Sequence, residues 1–233
     1  MRLYFLIPVL FSTVGFGQLK VTLSTGYGTY TMGDMKSLQE ELQEGYPVDA
    51  KITESFPGYA YYDLSVTKQT GERFVIGGYF TYGSTGGRIH YEDYSGEVSS
   101  NQLVRYYSLG FPLGIMISDD LDANAWNFQL DFKPHFTMGE LLLEFSSRIG
   151  SQRDAGSYEF RSFNFGIEPG FTAERRIGDK WGIDLFAGYN LTVVQGKLFF
   201  NETEGAYLQN EQNQAIGLDF SGLRVMLGLS YRF

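Results

Sequence analysis

From Gly222 to Phe233 every second residue is apolar: Leu223, Val225, Leu227, Leu229, Tyr231 and Phe233 alternate with Gly222, Arg224, Met226, Gly228, Ser230 and Arg232. A period of two predicts a β-strand with one greasy face and one polar or small face. The same alternation recurs along the chain. It predicts strands over Leu19 to Thr31, Tyr59 to Thr67, Arg73 to Ser84, Gln102 to Ile117, Phe160 to Arg175, Trp181 to about Phe200 and Leu218 to Phe233. One segment changes period: in Asp34 to Gly45, Met35, Leu38 and Leu42 fall on one helical stripe, with Asp34 as the expected cap and Gly45 as the stop. This short helix lies in a long connection from Met32 to Pro57.

Trp126 to Ile149 is ambiguous. Trp126, Phe128, Leu130, Phe132 and Phe136 are apolar at even positions, whereas Leu141, Leu143, Phe145 and Ile149 are apolar at odd ones. Either Thr137 to Glu140 is a hairpin turn, or one strand continues through a bulge that flips its phase. The strands are longer than the usual soluble strand of about 5 or 6 residues and suit a membrane crossing of about 9 to 11. Even strand numbers are the rule in single-chain bacterial barrels, so the bulge is preferred and the count is eight. The expected fold is all-β: an eight-stranded antiparallel transmembrane β-barrel with one short helix in its first long loop. Lys68 to Glu72, Ser118 to Asn124 and Arg176 to Lys180 are short turns on one side. The long connections, including the polar and aromatic stretch Thr85 to Ser100, lie on the other. Prolines 112, 134 and 169 fall inside strands, where each removes a ladder donor and favours a kink or bulge.

The N-terminus has a different character. Arg2, the apolar run Leu3 to Phe16, and Gly15 and Gly17 before Gln18 read as a signal peptide over residues 1–17, leaving 18–233 as one barrel domain. No apolar run elsewhere is long enough for a spanning helix. The chain carries 18 basic and 27 acidic residues, a formal charge of −9. Removing the leader takes away only Arg2 among the charges. An exported acidic chain is a poor match for nucleic acid, because little in it would neutralise phosphate. With no cysteine there is neither a disulfide framework nor a thiolate metal site.

Alternation turns Lys20, Asp63, Arg73, Asp131, Lys133, His135, Glu168, Glu174, Asp184 and Arg224 inward. A barrel of eight strands is just wide enough for side chains to fill, so a salt-bridged polar plug is expected rather than a conducting path. Catalysis is not expected. Only His90 and His135 are available, no G-x-S-x-G elbow occurs, and no His pair has ligand spacing, so neither a nucleophile triad nor a metal or other cofactor is anticipated. The acidic loop residues Glu202, Glu204, Asp93 and Glu97 read by default as solvated. Trp126 and Trp181, each following a short turn, suit an interfacial aromatic girdle. The loops remain as the place for function. In the helix Met35, Leu38 and Leu42 need an apolar partner, either the rest of the first long loop or another protein, while Lys36, Gln39, Glu40, Glu41 and Gln43 are exposed. Arg88, Tyr91, Glu92, Asp93 and Tyr94 form the expected neighbour of this helix above the mouth.

The terminal alternating run ending on Phe233 resembles the last strand of bacterial outer-membrane β-barrels, whose terminal Phe is read by the insertion machinery. Met32-Gly-Asp-Met35, Ser84-Thr-Gly-Gly-Arg-Ile89, Glu92-Asp-Tyr-Ser-Gly96 and Glu168-Pro-Gly170 are similar in order to the small Bacteroidetes-type outer-membrane barrels related in architecture to OmpA and OmpX. The resemblance covers the mature chain and implies a place more than an activity: the cell outer membrane, with both termini periplasmic and Phe233 as insertion signal. Its implied partners are outer-membrane lipid, the insertion machinery and a protein partner at the extracellular loops, and no nucleic acid. The expected role is a non-enzymatic interaction surface or accessory subunit. The alternatives are a transporter for a small or hydrophobic solute and, behind it, a lipid-modifying enzyme.

Overall fold

A computed structural model describes residues 19–94, 96–118, 126–201 and 205–233. The leader predicted over residues 1–17 lies outside them, as do most of the turn Ser118 to Asn124 and residues 202–204. In chain order the elements are β1 (Leu19–Gly28), α1 (Gly33–Glu44), β2 (Lys51–Ser55), β3 (Tyr59–Thr70), β4 (Phe74–Glu92) and β5 (Gly96–Gly110). They continue with β6 (Leu113–Met116), β7 (Trp126–Ile149), β8 (Gln152–Ile177), β9 (Trp181–Val194), β10 (Phe199–Phe200) and β11 (Gly222–Arg232). Antiparallel pairing runs β1–β3–β4–β5–β7–β8–β9–β11 and returns to β1. With β5 and β6 as one interrupted stave, the sheet closes as an eight-stave barrel. Closure matters because it leaves no unpaired edge at the height where lipid would touch the wall.

The outer surface confirms which face was which. Leu23, Leu64, Phe80, Leu113, Phe132, Leu185 and Leu227 are all exposed and represent a belt that runs around the wall. Thr22, Ser24, Asp63, Thr81, Asn127, Asp184 and Arg224 point inward and are buried. An apolar outside around a polar inside is the arrangement a lipid solvent selects.

The ambiguous segment is a single strand, but it is not bulged. β7 pairs with both neighbours through Thr137 to Glu140 without any shift of register. Odd residues face inward along its length: Asn127, Asp131 and His135 in the lower part, Leu141 and Leu143 in the upper part. What changes is the environment on the inner face, which passes from polar lumen to apolar core. Pro112 does interrupt its stave, dividing β5 from β6. The register with β7 nonetheless carries straight across, from Gly110↔His135 to Leu113↔Phe132. A bulge does occur between β8 and β9, where Val193 of β9 is the extra residue opposite Phe165/Gly166.

Two connections expected to be loops are strand. β4 and β5 pair as far as Glu92↔Glu97, so Thr85 to Ser100 is the top of a long hairpin. β8 begins at Gln152 rather than Phe160 and pairs with β7 from there. At 24 and 26 residues, β7 and β8 are more than twice as long as a crossing of about 9 to 11 requires. The surplus rises beyond the belt as a sheet of β4, β5, β7 and β8, with β2 added to the outer edge of β4.

Candidate functional site

Three layers fill the barrel from the short-turn end upward. In the lowest, Lys20 Nζ lies 3.1 Å from Glu174 Oε2 and 2.9 Å from Asp184 Oδ1, and Arg232 closes on the other oxygen of Glu174. β1, β8, β9 and β11 each contribute one residue, so the cluster ties the first and last strands to the wall beside them. Arg232 was missed in the sequence, although it shares phase with Arg224 on the same strand. Arg73 is not part of the lumen. It sits in the turn before β4 and is exposed at the rim, because the strand begins one residue later.

The middle layer holds Asp63, Asp131, Lys133, Glu168 and Arg224. Lys133 Nζ is 3.7 Å from Glu168 and 3.6 Å from the centre of the Phe186 ring. Asp63 accepts a 2.7 Å hydrogen bond from Thr81, and Asp131 accepts from Gln129 and Thr172. Arg224 has no carboxylate at ion-pair distance among the described residues. Its guanidinium lies 4.7, 5.2 and 5.7 Å from the ring centres of Tyr30, Tyr61 and Tyr106, and it donates to Phe220 O at 3.2 Å. Cation–π attraction is strongest where the cation has lost its water, as here. His135 is buried with Nδ1 3.0 Å from Lys133 O, the position of a hydrogen-bonded lumen residue. The space left is small: chambers of about 60 Å³ beside Lys20, Asp63 and Asp131 and of about 20 Å³ beside Arg224 and His135. Tyr61, Phe186 and Met226 cluster at this level.

The third layer is an apolar core that stops the upper mouth. Met35 and Leu38 of α1 meet Val104 and Tyr106 of β5, Leu141 and Leu143 of β7, Phe160 of β8, and Leu198, Leu218 and Phe220 of the 195–221 connection. Leu42 packs against this core, partly buried. The stripe of α1 thus finds its apolar partner within the chain, in the barrel wall and the 195–221 connection rather than in the rest of the first loop alone. Gln39 is also turned inward, not exposed. It is fully buried and donates to Glu54 O at 2.8 Å. The close approach depends on Gly87, where a Cβ would come within 2.7 Å of Gln39 Nε2 and 3.0 Å of the Phe56 ring. Asp34 is not the cap. The N-cap is Met32, in the left-handed region at φ 45°, without a side-chain cap bond. Asp34 instead accepts from Gln195 Nε2 at 3.0 Å and Gly217 N at 3.1 Å, tying α1 to the 195–221 connection.

Arg88, Tyr91, Glu92, Asp93 and Tyr94 sit at the upper end and tip of the β4–β5 hairpin, whereas α1, besides the core beneath it, lies against β2 and the Gly87 region of β4. Tyr94 is fully exposed. Tyr91 donates to Asp93 at 2.8 Å, and this bond to a carboxylate raises its phenol pKa. His90 lies 3.8 Å from Glu92 on the same strand. At the opposite end Phe233 is exposed, with its ring 4.9 Å from Tyr231 and its N–H donated to Leu19 O at 3.0 Å. Among the described residues no three His, Asp or Glu side chains converge as a metal site.

No family model and no curated sequence matches the chain. Among solved structures it is similar to the outer-membrane protein OprG of Pseudomonas aeruginosa, with TM-score 0.49 and 9% identity over 93% of this chain and 96% of that one. It is also similar to the attachment invasion locus protein Ail of Yersinia pestis, with TM-score 0.39 and 14% identity over 93% and 99% of the two chains. Neisserial surface protein A gives TM-score 0.38 and 13% identity over 92% and 97%. These likenesses are too distant to add to the closed strand register described above.

Proposed function

We propose that the chain is an integral outer-membrane protein whose barrel is a sealed, non-catalytic scaffold and whose structured head, beyond the bilayer on the extracellular side, is an interaction surface. The observation that carries this reading is the third layer. A barrel built to pass solute would keep its mouth polar and open, whereas here α1 and the 195–221 connection fill the mouth with buried apolar side chains. Below that stopper the interior charges are paired, hydrogen-bonded or held on aromatic rings, and the chambers beside them measure about 60 and 20 Å³. The long hairpins add area only outside the belt, where it is accessible to other molecules.

Co-purification in mild detergent tests the proposal, with the intact chain, a chain trimmed between Arg88 and Glu97, and a Lys133→Met chain compared side by side. A stoichiometric partner should be retained by the lumen variant and lost on trimming the head. A partner lost with Lys133→Met and kept by the trimmed chain would move the function into the lumen.

A further inference from the structure

We infer that the upper edge of β8 is a docking site for an extended polypeptide strand, an inference that rests on the head being an interaction surface and names the class of partner it takes. β8 pairs with β7 from Gln152 onward, but on its other side the first partner is β10, at Phe160 and Arg161, and β9 joins only at Phe165. From Gln152 to Tyr158 the strand has no backbone partner on that side among the described residues, and each of these residues is exposed.

The direction of the free groups follows from one bond. Asn201 donates its N–H to Glu159 O at 3.1 Å, so Glu159 faces away from β7. Residues two apart point their N–H and C=O the same way. Arg153 and Ala155 therefore present donors and acceptors that have no partner among the described residues, at strand spacing, which another strand matches group for group. The opposite edge of the same head sheet, on β4, is covered by the chain's own β2. Neither proline nor a bulge blunts the β8 edge.

Side chains beside the edge define what fits. On the outer face the register aligns Ser99, Ser146 and Ala155 in one row and Asn101, Glu144 and Ser157 in the next. Together with Phe145 and Gly156 they line a trough of about 460 Å³. On the same face, Arg148 is paired with Glu97 at 3.5 Å, Arg161 with Glu140 at 3.3 Å, and Glu159 accepts from Asn201 Nδ2 at 3.3 Å, whereas Arg153 has no carboxylate at ion-pair distance among the described residues. The complementary strand thus carries an acidic residue opposite Arg153 and small or hydroxylated residues toward the trough.

The test uses the full chain in detergent and a capped, dye-labelled peptide of alternating Thr and Val with one Glu, followed by fluorescence anisotropy. Saturable binding is expected. N-methylation of alternate peptide residues should abolish it in one phase and spare it in the other, because only one set of peptide N–H groups faces the edge. Ala155→Pro removes a donor from the open side and none from the β7 ladder, so the barrel should stay folded and heat-modifiable while affinity falls about tenfold. Arg153→Ala should weaken binding less and remove most of its salt dependence. Absence of saturable binding, or binding indifferent to both methylation phases and to Ala155→Pro, would overturn the inference. If Ala155→Pro retained a natural association that trimming Arg88 to Glu97 destroys, the head would stand as the interaction surface and the β8 edge would be excluded from it.

Discussion

Replacing Lys20 with Met removes the cation that two buried carboxylates share. Lys20, Glu174 and Asp184 have side chains only 17%, 9% and 8% exposed, so little water is at hand to take over. The two acids are not equally affected. Glu174 keeps Arg232, while Asp184 loses the one ion-pair partner it has among the described residues. Breaking a buried pair by deleting one member costs about 3 to 5 kcal/mol. With one carboxylate still paired and the cluster near the short-turn end of β1, the lower figure applies, about 3 kcal/mol. Adding Asp184→Asn should remove the stranded charge and recover about 2 kcal/mol, a coupling that a double-mutant cycle isolates. Equilibrium urea unfolding in lipid vesicles, read by tryptophan fluorescence, supplies the numbers. A Lys20→Met loss below about 1 kcal/mol, the range of an exposed ion pair, would refute the reasoning, as would strict additivity of the two substitutions.

Leu38→Ala in α1 should cost about 2 to 5 kcal/mol of stopper stability, because Leu38 is buried in the apolar core. Limited proteolysis should then cut in or beside α1 while the heat-modifiable shift of the barrel persists; loss of that shift would mean that stopper and wall do not fold as separable units. Phe233→Ala should lower the outer-membrane level of the protein without blocking export, since the exposed ring stands at the end of the closing strand. Undiminished levels on quantitative blotting of membrane fractions would exclude Phe233 as an insertion signal.

The parts of the fold that lipid dictates were legible in the sequence. Alternation gave the right outward face for Tyr62 to Val66, Leu109 to Ile117, Trp126 to Phe136 and Leu223 to Phe233, because in lipid the apolar side must be the outer one. Above the belt that rule lapses. The odd apolar residues Leu141 and Leu143 were read as outward and bulged, yet they point inward in unbroken phase, toward a core that only the folded α1 and 195–221 connection create. Thr85 to Ser100 looked like a loop because its buried face carries small and polar residues, Thr85, Gly87 and Ser100, around the single apolar Ile89. Within the lumen the inward charges were mostly foreseen, but partner choice was not. Lys20 and Glu174 are 154 residues apart, and nothing local couples them. The roles of Asp34 and Gln39 depend on equally distant contacts, with Gly217 and Glu54. Their helical positions alone implied a cap and an exposed face.

Planar lipid bilayer recording of the refolded full chain tests most directly whether the barrel is a sealed support for its head. With the mouth stopped by Met35, Leu38, Leu141 and Phe220 and the interior charges beneath it held by ion pairs, hydrogen bonds or aromatic rings, the account predicts no steady current above that of the bare bilayer. Long-lived, uniform conductance steps from the intact protein would contradict it.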